Sequence, residues 1–248
     1  MLSECKSKLM QKREMLSLPE LPAPKVVRLK FCKFGTLQYI SHLDLQRTFN
    51  RILVRACIPV WYTQGFNPHI KLVFSTPLSV GSESVCEYLD IRLSRDMPLD
   101  VLKEKLNAEM TDEFYITEVY EPKTDFSSIA YASYDISIHT SGASEEMARE
   151  IESVLTTSPL TMIKKGKSGE REIDIIPLIK EVKVKYDVER DGIYLEALLS
   201  ASSTQYLHPE MLITALKDKM GILSGSLTEE YYSIMRTSQK KEDLSEFS

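Results

Sequence analysis

The sequence lacks the features by which several protein classes are recognised. It has no run of about 18 apolar residues, so no transmembrane helix is predicted and no membrane partner is expected. Its first residues, MLSECKSKLMQKRE, are too charged for a secretory signal, and we therefore expect a cytoplasmic protein with reduced thiols. The four cysteines, at positions 5, 32, 57 and 86, include no CxxC pair. That spacing argues against a zinc or iron–sulfur site made of cysteines alone, and we expect neither a metal nor a cofactor.

Common catalytic and nucleotide-binding motifs are also missing. The sequence contains no GxGxxG, GxSxG or HExxH pattern, and no GxxxxGK followed by Ser or Thr. What remains has an ordinary globular composition, with 43% hydrophobic and 27% charged residues. A chain of 248 residues is long enough for one or two domains with a substantial core. Composition and motifs therefore predict a folded protein but name no reaction.

Charge is distributed unevenly along the chain. The formal net charge is −5. Residues 25–80 contain eight basic residues against one acidic residue, a net charge of +7, which leaves −12 for the rest. A basic lobe on an acidic protein favours an anionic partner for that lobe. The alternative is a basic surface that meets the acidic half of the same chain.

The hydrophobic pattern predicts two similar α+β domains. In the first half, the predicted elements follow the order βαββαβ, which is that of the ferredoxin-like unit. Its first helix runs from His42 to Ala56, with Ser41 as N-cap and Asp44 at the third helical position. The second half repeats this order with an inserted hairpin. We therefore predict tandem ferredoxin-like domains at 25–126 and 127–238, an N-terminal arm over 1–24 and a tail over 239–248.

The predicted first helix carries a stripe of arginines. Arg47, Arg51 and Arg55 recur every four residues, so they lie on one face of the helix, clear of the apolar stripe that begins at Leu45. Like charges at this spacing cost helix stability, whereas guanidinium groups pair phosphates bidentately. The stripe therefore indicates a phosphate-binding or nucleic-acid-binding face. The alternative is a solvated helix face.

The segment after this helix interleaves aromatic and polar residues. It contains Trp61, Phe66 and His69, and Lys71 follows. Aromatic rings stack on exposed bases while basic neighbours hold the backbone, so these residues are candidate nucleic-acid contacts. The alternatives are that Trp61 and Phe66 are core residues, and that the Gly-Phe-Asn-Pro-His turn is a structural corner.

Two further groups of residues are weaker candidates. Imidazole groups are common general acids and bases, so His42 or His69 could act as one, although a histidine in the first helical turn, such as His42, is more often a capping or packing residue. No third ligand accompanies them at a helpful spacing. The inserted hairpin carries Lys164, Lys165 and Lys167 at its tip, a type of loop that contacts phosphates, and its alternative is a flexible solvated turn.

Longer motifs in the same region resemble a known family. The matching segments are Lys-x-Gly at 33–35, Ser-His-Leu-Asp-Leu at 41–45, Gly-Phe-Asn-Pro-His at 65–69 and Glu-Tyr-x-Asp at 87–90. This pattern resembles that of the bacterial radical-SAM-linked proteins, a domain of unknown function. The resemblance covers residues 25–235, with two departures: Thr63 stands where Ser is expected, and Ile70 where a second Pro is common.

The resemblance implies a partner rather than a reaction. Members of that family are encoded beside, or fused to, a radical SAM protein. This chain has no CxxxCxxC motif with which to hold the cluster of such an enzyme. The resemblance therefore implies an accessory that binds the radical SAM partner or presents its substrate. The order of elements and the basic face also resemble, at the level of the fold alone, the RAMP proteins that bind and cut CRISPR RNA.

Three hypotheses for the function follow. The first is a non-enzymatic RNA-binding accessory for tRNA or rRNA, with phosphates held by the arginine stripe and Lys71 and a base stacked on Trp61 or Phe66. The second is a metal-independent ribonuclease in which His42 or His69 is the acid or base. The third is a protein-interaction scaffold whose acidic second half docks the radical SAM partner.

Overall fold

Residues 10, 12–157, 159–166 and 169–248 are described by the structure, which is a computed structural model. The chain divides into two units, Met1–Asp125 together with Ser248, and Phe126–Phe247. Both units combine helices with an antiparallel sheet, which confirms the predicted α+β class.

The first unit follows the order βαββαβ. Its strands are β1 (Glu20–Lys33), β2 (Val73–Phe74), β3 (Ser82–Arg95) and β4 (Phe114–Tyr120). Its helices are α1 (His42–Arg55) and α2 (Leu99–Asn107). The strands pair antiparallel in the order β4-β1-β3-β2.

The second unit repeats that order with one insertion. Its strands are β5 (Ile129–His139), β6 (Thr161–Gly166), β7 (Gly169–Asp174), β8 (Ile179–Asp187), β9 (Gly192–Ser200) and β10 (Tyr231–Lys241). Its helices are α3 (Glu145–Thr156) and α4 (Pro209–Met220). Four strands pair antiparallel in the order β10-β5-β9-β8, and β6 and β7 form the inserted hairpin between α3 and β8.

An aromatic cluster fixes α1 on the sheet of the first unit. Alternate residues of β1 are fully buried, among them Leu29 and Phe31. The ring of Phe31 meets Phe49 of α1 edge-on, with 5.0 Å between the ring centroids. Phe114 of β4 lies 5.7 Å from Phe31 and 5.1 Å from Phe49. Because edge-to-face packing is directional, this cluster sets the rotation of α1 and turns its arginine face away from the core.

The N-terminal segment is more ordered than the predicted arm. β1 begins at Glu20, inside the segment 1–24. Arg95 of β3 donates hydrogen bonds to the carbonyl oxygens of Leu16 at 3.2 Å and Leu18 at 2.7 Å, and so holds the segment that precedes β1. The prediction missed this contact because Arg95 lies more than seventy residues from Leu18 in the sequence.

The C-terminal segment is likewise not a simple tail. β10 continues to Lys241, inside the segment 239–248, because Lys240 pairs with Tyr131 of β5. Phe247 is 2% exposed, and its ring centroid lies 5.8 Å from that of Phe126. The segment was predicted to be a tail because its composition is polar, but its aromatic residue Phe247 is buried in the second unit.

Candidate functional site

Helix α1 begins as its sequence predicts. Ser41 is the N-cap, and its Oγ accepts a hydrogen bond from the backbone N–H of Asp44 at 3.2 Å and donates to Asp44 Oδ2 at 2.6 Å. Arg47 Nη1 donates to the other carboxylate oxygen at 3.1 Å. The hydrogen bond from Ser41, followed by that from Arg47, holds the pKa of Asp44 below its ordinary value. The first turn therefore keeps an ionised carboxylate, which suits the positive end of the helix dipole.

The three arginines of α1 are all exposed but differ in their partners. The side chain of Arg47 is 60% exposed and is paired with Asp44, as described above. The side chain of Arg55 is 62% exposed, and its Nη2 lies 2.7 Å from Glu109 Oε2. Arg51 has neither a hydrogen bond nor an ion pair with any residue that the structure describes. The helix therefore presents one unpaired guanidinium between two that are paired at the surface.

Elsewhere the basic stretch 25–80 is largely neutralised within its own unit. Three ion pairs link it to acidic residues of β3 or of the chain around β4: Lys25–Glu121 at 2.6 Å, Lys30–Glu118 at 2.8 Å and the bidentate Arg28–Asp90 at 2.7 and 2.9 Å. Residues 1–125 contain 17 basic and 16 acidic residues, a net charge of +1. An anionic partner would thus meet a few local cations rather than a broad positive field.

The two remaining lysines of this stretch have opposite environments. Lys33 is 3% exposed, and its Nζ donates to the carbonyl oxygens of Leu37 and Gln38, both at 3.3 Å. Lys71 is exposed and has no ion pair or hydrogen bond within the described part of the chain. Arg51 and Lys71 are therefore the cations of this stretch that are most available to a ligand.

The Gly-Phe-Asn-Pro-His motif forms the tip of a tight loop. An antiparallel bridge between Tyr62 and Ile70 closes the loop. Inside the bridge, the backbone N–H of Thr63 donates to the carbonyl oxygen of His69 at 2.9 Å, and the N–H of His69 donates to Thr63 Oγ1 at 3.1 Å. Phe66 lies at the tip and is fully exposed. The alternative that Phe66 is a core residue is therefore wrong.

His69 supports this loop with its ring as well as its backbone. Its Nδ1 lies 3.1 Å from the carbonyl oxygen of Asn67 and 3.0 Å from Thr63 Oγ1. Gly65 contributes a φ of +141°, a conformation that other residues rarely adopt. The structural-corner interpretation expects an unusual backbone conformation at Gly65 and Asn67; Gly65 has it, whereas Asn67 does not have a positive φ. Phe66 remains a candidate contact. A direct contact between His69 and nucleic acid stays a prediction.

Trp61 is held by the fold to a much greater extent than Phe66. It is half-buried, and its backbone N–H donates to the carbonyl oxygen of Arg92 at 2.8 Å. The guanidinium carbon of Arg92 lies 5.5 Å from the centroid of the indole ring. A cation over the ring face stabilises the indole in place and occupies surface that a base would need. Of the two aromatic candidates, Phe66 is the better placed for stacking.

A small cleft at the start of α1 contains the candidate His42 together with two residues that were not predicted as site residues. The ring of His42 lies edge-on to Phe74, with 4.9 Å between centroids. Lys33 and Glu87, which are 3% and 6% exposed, line the same cleft of about 10 Å³. Both belong to the motifs quoted above. The sequence contained a signal for Glu87. Residues two apart on a strand share one face, so Glu87 lies on the same face of β3 as the buried Leu89, and a charged residue there is unusual because an apolar one is expected.

The lysines of the inserted hairpin are only partly described. Lys164 and Lys165 belong to β6, and in the backbone register of the hairpin they lie opposite Arg171 and Glu170 of β7. Lys167 lies outside the described residues. Their contribution to nucleic-acid binding stays a prediction.

The described ranges contain neither a candidate metal centre nor a candidate membrane span. No group of three or more His, Cys, Asp or Glu residues there is arranged to hold a metal ion. No helix there combines the length and the apolar character needed to cross a bilayer.

Comparison with solved structures gives faint similarities. DyPB from Rhodococcus jostii RHA1 is 9% identical over 88% of this chain and 94% of its own, with a TM-score of 0.20. A DypB variant in complex with manganese is 9% identical over 90% and 96%, with a TM-score of 0.19. At these TM-scores the similarity carries no structural or functional argument.

Sequence comparison is informative about the family. No curated protein matches the chain. One family model matches residues 26–209, and its description states no activity and no partner, so the radical SAM link and the RAMP likeness stay predictions. Because this match covers well over half of the sequence, the chain belongs to the family described as an uncharacterized protein conserved in bacteria, DUF2344.

Proposed function

We propose that this protein is a non-enzymatic RNA-binding accessory whose first unit contacts RNA through the exposed face of α1 and the loop that carries Phe66. The observation that carries the proposal is a fully exposed aromatic side chain on a hydrogen-bonded loop, in the same unit as the unpaired cations Arg51 and Lys71. Aromatic faces stack on unpaired bases, and cations hold the neighbouring phosphates.

The paired arginines of α1 add to this surface. Exposed ion pairs contribute about 0–1 kcal/mol, because water screens them and long side chains lose freedom on pairing. A phosphate can therefore compete with Asp44 for Arg47 at small cost, whereas Glu109, whose side chain is only 20% exposed, is a stronger competitor for Arg55. Each guanidinium also has five N–H donors, so a carboxylate partner leaves donors for a phosphate.

We propose further that both units are ferredoxin-like domains. The support is the order βαββαβ in each, with the sheet orders β4-β1-β3-β2 and β10-β5-β9-β8. In both, the last strand of the unit lies beside its first strand, as the ferredoxin-like arrangement requires.

The partner belongs to the same proposal. The motif resemblance implies a radical SAM protein as partner, and we propose that this chain presents RNA to it in the cytoplasm. The hairpin lysines Lys164, Lys165 and Lys167 would then add a second backbone contact.

Fluorescence anisotropy with labelled total tRNA over a salt series tests RNA binding. The variant Arg47→Glu/Arg51→Glu should weaken binding at least tenfold, whereas Lys217→Glu/Lys219→Glu, an equal charge change on exposed residues of α4, should not. Each phosphate contact adds about −0.7 to −0.9 to the slope of log K against log salt, so two to four contacts predict about −1.4 to −3.6. Absence of binding by the folded wild-type chain, or equal losses in both variants, contradicts the proposal.

A further inference from the structure

We propose that the Phe66 loop is a platform for a single unpaired base, so that the protein selects single-stranded RNA over duplex RNA. This inference rests on the proposed RNA-binding function and specifies its substrate class. The relevant side chain is Phe66, which is fully exposed and makes no ring contact with another described residue.

The loop presents this ring on a pre-ordered backbone. The bridge between Tyr62 and Ile70 and the paired hydrogen bonds between Thr63 and His69 hold both sides of the loop. A loop ordered before binding loses less conformational entropy when a ligand stacks on it. The exposure of Phe66 is thus a property of the loop's fixed shape.

The ring can stack only where a base offers an open face. In a duplex, each internal base is covered on both faces by its neighbours, and the grooves expose base edges rather than faces. A protruding phenyl ring therefore meets bases in single strands, loops and ends. Base–aromatic stacking of this kind tolerates any base, so we expect little sequence preference at this contact.

Phe66 offers the most open ring face of this segment. The indole of Trp61 lies against the guanidinium of Arg92. Tyr62 is 46% exposed, whereas Phe66 is fully exposed, so Phe66 is the ring on which we expect a base to stack. Lys71 directly follows the closing bridge of the loop in the chain and is exposed, so it is the available cation nearest to the loop in sequence.

The test compares a labelled ten-nucleotide single-stranded RNA with a long duplex that contains the same sequence, in which the terminal bases with an open face are a small fraction of the whole. We expect the wild-type chain to prefer the single strand and Phe66→Ala to weaken that binding on the order of tenfold, with little effect on duplex binding. Phe66→Trp should preserve binding, and the single strand should quench its tryptophan fluorescence by more than it quenches that of the wild type. Leu227→Ala, which truncates another exposed apolar side chain, is the matched control.

The outcomes separate this inference from the proposed function. Equal binding of single strand and duplex, with Phe66→Ala unchanged and the α1 charge variant impaired, overturns the platform and leaves RNA binding in place. Failure of the folded wild type to bind either RNA overturns both. A tenfold loss confined to Phe66→Ala and to the single strand supports both.

Discussion

The Nδ1 atom of His69 lies 3.1 Å from the carbonyl oxygen of Asn67. The same atom lies 3.0 Å from Thr63 Oγ1. A protonated Nδ1 donates within the loop, and an unprotonated Nδ1 accepts from the Thr63 hydroxyl, so either tautomer anchors the ring beside Phe66. His69 is therefore a residue that positions the loop.

Removing the His69 ring should loosen the loop without unfolding the unit. One hydrogen bond contributes about 0.5–1.5 kcal/mol, so His69→Ala should lower the free energy of unfolding by no more than that range. Amide hydrogen exchange over residues 63–69 should accelerate, because the hydrogen bond of the imidazole Nδ1 within the loop is lost. His139→Ala, in the second unit, is the control and should leave exchange in this loop unchanged. Unaltered exchange in the His69 variant would show that the ring does not hold the turn.

The buried and exposed ion pairs of β1 should differ sharply in their contribution to stability. Asp90→Asn leaves the guanidinium of Arg28, 1% exposed, without its carboxylate partner. Loss of one partner of a buried pair costs about 3–5 kcal/mol. Glu118→Gln breaks the pair with Lys30, in which Glu118 is 56% exposed, and should cost under about 1 kcal/mol. Urea unfolding of both variants measures the difference, and equal losses would contradict it.

Protonation of Asp44 at the start of α1 should lower the free energy of unfolding in acid. Since the pKa of Asp44 is held below its ordinary value of 3.8, the ionised carboxylate stabilises the folded state above that pH, and this stabilisation is lost as pH falls through the lowered pKa. Asp44→Asn should therefore be less stable than the wild type at pH 7, and the difference should shrink below about pH 4. Urea unfolding at several pH values tests this sign, and a difference that grows towards low pH would refute it.

Asn107 protects the outer edge of β4. Its amide donates to the carbonyl oxygen of Ile116 at 2.9 Å and accepts from the N–H of Ile116 at 2.7 Å. Asn107→Ala should lower the free energy of unfolding by about 1–3 kcal/mol, for two hydrogen bonds, and should promote self-association through the uncovered edge. Thermal unfolding and light scattering measure the two effects. Asn107→Asp keeps the acceptor for the N–H of Ile116 but places a carboxylate oxygen against its carbonyl oxygen, so it should also be destabilised. If both variants match the wild type, the edge needs no such cover.

Local patterns in the sequence were sufficient for most of the secondary structure. Ser41 and Asp44 mark the start of α1 because a cap acts within one helical turn. The four-residue spacing of Arg47, Arg51 and Arg55 placed them on an exposed face because helix geometry depends on neighbouring residues alone. Alternation in the strands predicted the buried face of β1 for the same reason.

Long-range contacts decided which of the charged side chains remain unpaired at the surface. The net charge of +7 over residues 25–80 indicated a basic lobe. In the fold, however, Lys30 forms an ion pair with Glu118, 88 residues away in the sequence, and Lys25 forms one with Glu121. Such pairings depend on strand order, which no local pattern encodes.

The same distinction separates the two aromatic candidates. Trp61 and Phe66 look alike in the sequence as aromatic residues among polar ones. Only the fold brings Arg92 of β3 over the indole and leaves the phenyl ring at a loop tip. Sequence by itself determined the helices, the strands and the chemical character of the candidate residues. Tertiary structure decided which of their charges and rings remain open to a partner, because exposure depends on neighbours that the chain brings together only on folding.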